Sequence, residues 1–266
     1  MDSSEKTTLI VVGIIAVIAF ILITILIVKD NGENKDNSTN KVANSSNTTK
    51  EEETLDEDFD YVAAAEKQMA EPEAGETIAV MHVKDYGDIT FKFFKDKAPK
   101  AVENFLTHAK DGYYNGVKFH RVIEEFMIQG GDPLGNGTGG ESIWGKGFEE
   151  EFDQGLVPYR GALCMASSGV GKSSLGSQFF IVQSHYDEND EAMLTYYGYP
   201  AGLAETYKKY GGYLSLYQSY TVFGQVIDGM DTVDKIAATE TVANSSGEKS
   251  SPVNDVVIES IEVKTK

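Results

Sequence analysis

Between Phe119 and Asp132 the chain reads Phe-His-Arg-Val-Ile-Glu-Glu-Phe-Met-Ile-Gln-Gly-Gly-Asp. Large apolar residues recur here with an arginine and a glutamine between them, and a glycine pair closes the run. That pattern suits an extended strand better than a helix. It is read as one strand that loses its regularity at Glu124 and Glu125 and resumes at Phe126. Phe119, Arg121 and Ile123 are expected on one face, and the step at Glu124 resets the register. Arg121, Phe126, Met127 and Gln129 then share a surface. An arginine beside large apolar side chains and an amide fits a site for a partly apolar ligand with one carbonyl or amide to grip. The competing reading is a core strand with a snorkelling arginine.

Further runs carry the same extended signature. Thr77 to Val83 and Asp88 to Phe94 read as a hairpin turning at Tyr86 and Gly87. Gly161 to Met165, Gln178 to Gln183, Tyr220 to Ile227 and Val256 to Val263 read as strands. Helices are few. Pro99 suits a first helical turn, and Val102, Phe105, Leu106 and Ala109 form one stripe that Gly112 can end. Met230 to Ala237 reads as a second, short helix. Residues 185–214 read as an insertion with a charged tip at Asp187 to Glu191 and a helical stretch at Leu203 to Tyr210. Many short strands with two clear helices predict a closed antiparallel β-structure.

The N-terminal part is of another kind. After a short tail (1–8), residues 9–28 form an uncharged run of the length a helix needs to cross a bilayer. No Ala-x-Ala site or lipidation cysteine follows at Leu26 to Asp30, so the run reads as an uncleaved anchor. Lysines beyond it favour a cytoplasmic C-terminal part, whereas the Asn/Ser/Thr-rich tract at 31–50 resembles an exported stalk. The expectation adopted is a single-pass anchor with the folded part outside the cytoplasm. Residues 29–76 read as a solvated linker, because 31–75 hold twelve acidic residues against four lysines. A short helix is allowed within Leu55 to Met69, and the folded domain is placed at 77–266.

Composition excludes several classes. A net charge of −19 argues against nucleic acid, which needs a basic surface. One cysteine, Cys164, excludes an internal disulfide and a thiolate cluster, and its apolar neighbours point to a buried core position. His82, His108, His120 and His185 show no metal-ligand spacing, and His120 reads as a hydrogen-bonded core histidine. Gly135 to Gly140 matches a dinucleotide fingerprint, but Glu141 to Gly147 reads as turn where a helix is required. Ala166 to Ser173 is one residue from a phosphate loop, yet a strand follows it rather than a helix. No nucleotide partner is expected. Asp187 to Glu191 starts like a calcium loop but lacks the glycine and glutamate that complete one. No serine sits in a nucleophile elbow.

Five ordered motifs then resemble one family. Phe119 to Ile123, Phe126 to Asp132, Gly135 to Gly140, Gly176 to Ile181 and Val222 to Val226 are together similar to the cyclophilins, the peptidyl-prolyl cis-trans isomerases. The resemblance covers roughly 77–263, and Ala98 to Phe105 resembles the family's first helix. It implies a mainly β fold: an eight-stranded antiparallel β-barrel capped by two helices. It implies no cofactor and no metal, with proline-containing polypeptides as partners and a monomer as the expected state. By position, Arg121 matches the catalytic arginine, with Gln129 to orient it. Phe126, Met127 and Phe180 match walls of the proline pocket, and Gln178 is a polar contact. Gly137 matches the rim. Ala166 and Ser167 match the segment that holds the residue before proline, although the family usually has asparagine at Ser167. Leu216 aligns with a pocket leucine, and Tyr220 takes the place of a pocket histidine. The large residue expected near Ser215 is missing, which leaves the far wall open to question. Two functions are therefore weighed: a tethered isomerase that assists folding of exported proteins, and a tethered proline-peptide-binding module with weak catalysis.

Overall fold

The computed structural model describes residues 55–56, 58–167 and 174–266. The apolar run at 9–28 lies outside them, and so do most of the linker and most of the phosphate-loop-like segment. Among the described residues no helix is long and apolar enough to cross a membrane.

An eight-stranded antiparallel sheet dominates. In chain order its strands are β1 (Thr77–Val83), β2 (Gly87–Phe93), β3 (Arg121–Ile123), β4 (Met127–Gly130), β5 (Ala162–Ser167), β6 (Leu175–Val182) and β7 (Val222–Asp228). A small hairpin of β8 (Thr241–Ala243) and β9 (Lys249–Pro252) precedes the last strand, β10 (Ile258–Thr265). The order across the large sheet is β10-β1-β2-β7-β5-β6-β4-β3. Its two edges meet just before β3 and β10 begin. Gly116 N–H donates to Ile258 O, Ile258 N–H to Val117 O, and Phe119 N–H to Val256 O, at 2.8, 2.8 and 2.9 Å. The sheet is thus curled, with its edges held by these bonds rather than by a continuous ladder.

Alternation along the strands fills the inside. Ala79, Met81, Ile89, Phe91, Leu163, Phe179, Ile181 and Phe223 are all buried in one core. Helix α2 (Pro99–Lys110) closes it, with Phe105 in ring contact with Phe91, Tyr114, Phe179 and Phe223. Cys164 is fully buried, as expected.

Three elements depart from the sequence reading. The irregular step at Glu124 is not a break within one strand but a tight turn between two: Phe126 N–H donates to Ile123 O, and Glu125 has φ +57°. Phe119, two residues before β3, also does not share a face with Arg121. It sits in the main core, while Ile123 joins a separate cluster beside Phe126 and Met127.

One helix is unexpected. Besides α2 and α5 (Met230–Ala237), the described residues contain α1 (Tyr61–Met69) and α4 (Ala201–Tyr210), which fall where sequence allows helices, and α3 (Glu188–Tyr197), which is expected only as a charged tip. The acidic tip at Asp187 opens α3, capping it through reciprocal bonds between Asp187 and Asp190. Carboxylates there suit the electropositive helix start.

Finally, the folded region extends N-terminally of Thr77. Tyr61, Ala65 and Gln68 on α1 are buried, in part against Val157, Tyr159, Leu203 and Tyr207. Gln68 makes a two-way amide pairing with Val157, at 2.7 and 3.0 Å. Lys92 reaches from β2 to the carbonyls of Lys67 and Ala70, at the helix end where a cation is favoured. A helix is allowed here in sequence; the acidic linker composition hides its docking, because its charges line the solvent side.

Candidate active site

The β3–β4 turn creates the site. Folding the run back on itself makes Arg121 and Gln129 cross-strand partners, and pairing of β4 with β6 sets Phe180 opposite Gln129. A cavity of about 140 Å³ results, lined by Arg121, Phe126, Met127, Gln129, Ala166, Ser167, Phe180, Leu216 and Tyr220. Nine residues singled out in sequence are thereby brought to one place, from segments up to 99 positions apart (220 − 121 = 99). Gln178 and Gly137 do not line the cavity; Gln178 meets it through Gln129.

The walls are apolar. Met127, Phe180 and Leu216 are almost fully buried, and Phe180 meets Tyr220 edge to face at 5.4 Å. Leu216 ends a short 3-10 turn, Leu214–Leu216, and faces the cavity. Tyr217, in contrast, turns toward the second core and donates to Gln154 O at 2.8 Å. The far wall is thus made by Leu216 and Tyr220, without a contribution from Ser215. The Tyr213 ring lies tilted against Phe126 with centres 4.3 Å apart, an aromatic contact that no sequence pattern announces. The β5–β6 ladder is interrupted between Met165 and Ser167, which puts Ala166 at the break. Behind Ser167, Glu150 is held by the N–H and hydroxyl of Thr221 at 3.0 and 2.6 Å. Burial raises the Glu150 carboxyl above its ordinary range, against the pull of hydrogen bonds from Thr221 and Ser167.

Arg121 supplies the cavity's one cationic edge. Its Nη1 lies 3.5 Å from Gln129 Oε1 and 3.9 Å from Met127 Sδ, and its guanidinium sits 5.7 Å from the Phe126 ring centre. Its Nε and Nη2 are both bonded to Glu248, each at 2.7 Å. Burial raises the pKa of the Tyr220 hydroxyl, while the nearby guanidinium acts the other way. Glu248 was not foreseen. It lies 127 positions from Arg121, and no local pattern announces that pairing.

An amide relay backs the arginine. Gln129 Nε2 donates to Gln178 Oε1 at 3.0 Å, and Gln178 Nε2 donates to Gly137 O and Gly139 O at 3.1 and 2.8 Å. The glycine loop is shaped from within by Asp132, whose buried carboxylate accepts from the N–H groups of Leu134, Asn136 and Gly137 at 2.8, 3.1 and 2.7 Å. Burial pushes this carboxyl up, but the backbone N–H groups outweigh it and hold it below its ordinary value. Amides that would cradle a phosphate in a dinucleotide fold are here already committed to Asp132. His120 stands beside this loop. Its Nδ1 is buried and has no hydrogen-bond partner among the described residues, unlike the hydrogen-bonded histidine expected. Burial lowers its pKa, with Arg121 and Lys118 adding to the effect and Asp132 opposing it.

A small cavity that combines apolar side chains with the polar edge of Arg121 and Gln129, set on a curled antiparallel sheet, defines a class of domain. Its lining suits an apolar ring with a hydrogen-bonding group beside it. Comparison with known proteins agrees. A family model described as cyclophilin type peptidyl-prolyl cis-trans isomerase/CLD matches residues 78–263. A putative peptidyl-prolyl cis-trans isomerase of Staphylococcus aureus (strain COL) is 50% identical over 194 residues, covering 73% of this chain and 94% of that protein. One from Staphylococcus epidermidis is 51% identical over 185 residues, covering 69% and 90%. Among solved structures, a cyclophilin type peptidyl-prolyl cis-trans isomerase of Cryptosporidium parvum matches with a TM-score of 0.57 and 31% identity, over 72% of this chain and 99% of that one. A structure of the Cryptosporidium protein in the presence of the dipeptide Ala-Pro matches with a TM-score of 0.56. The chain belongs to the cyclophilin family and is a cyclophilin-type peptidyl-prolyl cis-trans isomerase.

Proposed function

We propose that Arg121 is the group that stabilises the twisted Xaa-Pro amide, and that the enzyme works from a membrane tether on exported polypeptides. Rotation about an Xaa-Pro bond breaks no covalent bond. The twisted state loses the resonance that makes the barrier about 18–20 kcal/mol, and unassisted exchange takes on the order of tens to hundreds of seconds. Lowering that barrier by about 4–5 kcal/mol accelerates exchange by roughly three to four decades. No general base is required for this.

As the amide twists, its nitrogen regains a lone pair. A fixed donor beside that nitrogen then helps the transition state more than the ground state. Arginine suits the role because it stays charged and presents its N–H groups in a rigid fork. Phe126, Met127, Phe180 and Leu216 hold the proline ring, while the backbone at Ala166 and Ser167 holds the preceding residue. Gln129 orients the arginine. The observation that carries this reading is the Nη1 edge of Arg121, which lies among these cavity walls beside Gln129 and Met127.

The activity test uses the full-length chain and a proline tetrapeptide. Turnover should be readily measurable, and Arg121→Ala should remove most of it while peptide binding persists. Binding without turnover in the unaltered protein would instead make it a peptide-holding module. The tether rests on the apolar run at 9–28 and the Asn/Ser/Thr-rich tract after it. Protease added to intact cells should remove the domain; protection until the membrane is opened would place it in the cytoplasm and overturn the exported-client role.

A further inference from the structure

The β8–β9 hairpin is built to present one carboxylate. Asn244 organises its turn: Oδ1 accepts from Ser246 N–H, Ser246 Oγ and Glu248 N–H at 2.9, 2.7 and 3.0 Å. Asn244 N–H donates to Glu248 O at 2.8 Å, and Gly247 takes the left-handed conformation (φ +87°) that such a three-residue turn requires. Asn244 Nδ2 also donates to the fully buried Ser250 at 3.2 Å, which anchors the hairpin from below. Glu248 is therefore held by its own turn before it meets Arg121.

Where they meet, both carboxylate oxygens are used. Oε2 takes Nε and Oε1 takes Nη2, in the parallel fork that is the strongest arginine–carboxylate geometry. Both side chains are about one-third exposed (31% and 37%), so the pair is neither fully desolvated nor freely hydrated. Nη1 is the one guanidinium nitrogen that Glu248 does not engage. Its neighbours, Gln129 Oε1 at 3.5 Å and Met127 Sδ at 3.9 Å, are too distant for strong hydrogen bonds. It keeps donor capacity for a substrate atom.

We propose that Glu248 is a positioning residue for isomerisation, clamping two nitrogens of Arg121 so that the third is presented to the Xaa-Pro amide. The inference rests on the reading of Arg121 as the donor. An unclamped arginine has many rotamers, and a donor helps most when its orientation is set before the bond rotates. The same carboxylate also offsets part of the guanidinium charge. The two effects have opposite signs. If field strength governed the rate, removing Glu248 would speed the enzyme; if orientation governs it, removal slows the enzyme.

The test measures steady-state and NMR exchange kinetics on a proline peptide with the full-length protein, Glu248→Ala, Glu248→Gln, Arg121→Ala and the Glu248→Ala/Arg121→Ala double variant. We expect Glu248→Ala to lower kcat about tenfold with KM changed less than about twofold, the signature of an interaction lost mainly in the transition state. Glu248→Gln keeps one acceptor and should fall between. In the Arg121→Ala background, removing Glu248 should have no further effect, because the partner it positions is gone. An unchanged or raised kcat in Glu248→Ala, or equal losses in both backgrounds, would overturn the clamp. Full activity in Arg121→Ala is a different result, and it would overturn the reading of Arg121 itself.

Discussion

Arg121 and Gln129 face each other across the β3–β4 hairpin, and the side-chain amide of Gln129 has only one orientation that serves both its neighbours. Its Nε2 donates to Gln178 Oε1, so its Oε1 is left toward Arg121 Nη1. Gln178 is oriented in turn by the carbonyls of Gly137 and Gly139, which can only accept. The polarity of the relay is thus set by the backbone of the glycine loop, at the end remote from the cavity.

Gln178→Leu should therefore slow isomerisation although Gln178 does not line the cavity. With the acceptor of its NH₂ group lost, the Gln129 amide is free to flip and present that NH₂ to the arginine. One ordinary hydrogen bond is worth about 0.5–1.5 kcal/mol, so kcat/KM should fall by roughly two- to tenfold. Exchange kinetics on a proline peptide give the answer. An unchanged rate would show that Gln129 is held by other means.

Arg121→Lys tests whether charge alone suffices. A lysine ammonium is a point charge and cannot make the paired contact with Glu248 while also reaching the cavity. Activity should fall nearly as far as in Arg121→Ala, by more than about tenfold. Retention of most activity in Arg121→Lys would mean that a positive charge, and not a set of directed N–H groups, is what the reaction uses.

A protein begun at Thr77, where the strand pattern starts, should be markedly less stable than one begun at residue 55. It would lose Tyr61 and Ala65 from the second core and the paired amide contacts of Gln68. Lys92, whose pKa burial already depresses, would lose its carbonyl partners on α1. Removing one large buried aromatic side chain costs about 3–5 kcal/mol, and a drop of at least that size is expected in urea unfolding. Gln68→Ala alone should cost about 1–3 kcal/mol, because Val157 is left with unpaired backbone groups. Equal stability of the two proteins would show that α1 docks too weakly to matter.

Much of the sheet was legible in sequence because β-strands announce themselves locally. β1, β2, β5, β6, β7 and β10 all fall within a few residues of runs read from alternation alone. Of the nine cavity residues, Arg121, Phe126, Met127, Gln129 and Phe180 sit in the ordered motifs, whereas Ala166, Ser167, Leu216 and Tyr220 are reached only by positional match to the family the chain resembles. What escaped depends on tertiary contact. A short helix is allowed at α1 in sequence, but its linker-like composition gives no sign of its docking onto Val157 and Tyr207. The turn at Glu124 and Glu125 was read as an irregularity, because nothing in Val-Ile-Glu-Glu-Phe tells a kink from a reversal. Glu248 sits in Asn-Ser-Ser-Gly-Glu, which reads as solvent-exposed turn, and its partner lies on another strand.

Asp132 gives a stability that depends on pH. Its carboxylate is fully buried and accepts N–H bonds from the loop that forms the rim. Burial tends to raise its pKa, but the N–H groups of Leu134, Asn136, Gly139 and Gly137 prevail and the folded-state value lies below the ordinary one. The unfolded chain therefore binds this proton more readily than the folded one. Stability from Asp132 is fully present above the unfolded pKa of about 3.9 and is lost as pH falls through the lower folded value. Glu248, held down by Arg121, and Asp234, drawn down by Arg160 and Gln183 against the effect of burial, act in the same direction. Asp132→Asn removes the charge but keeps one acceptor. It should cost about 1–3 kcal/mol at neutral pH, and the gap to the unaltered protein should narrow between about pH 4 and pH 2. Urea midpoints measured across that range check it. A gap that stays constant down to pH 2 would mean that the Asp132 carboxylate is not the group that ties the rim to acid.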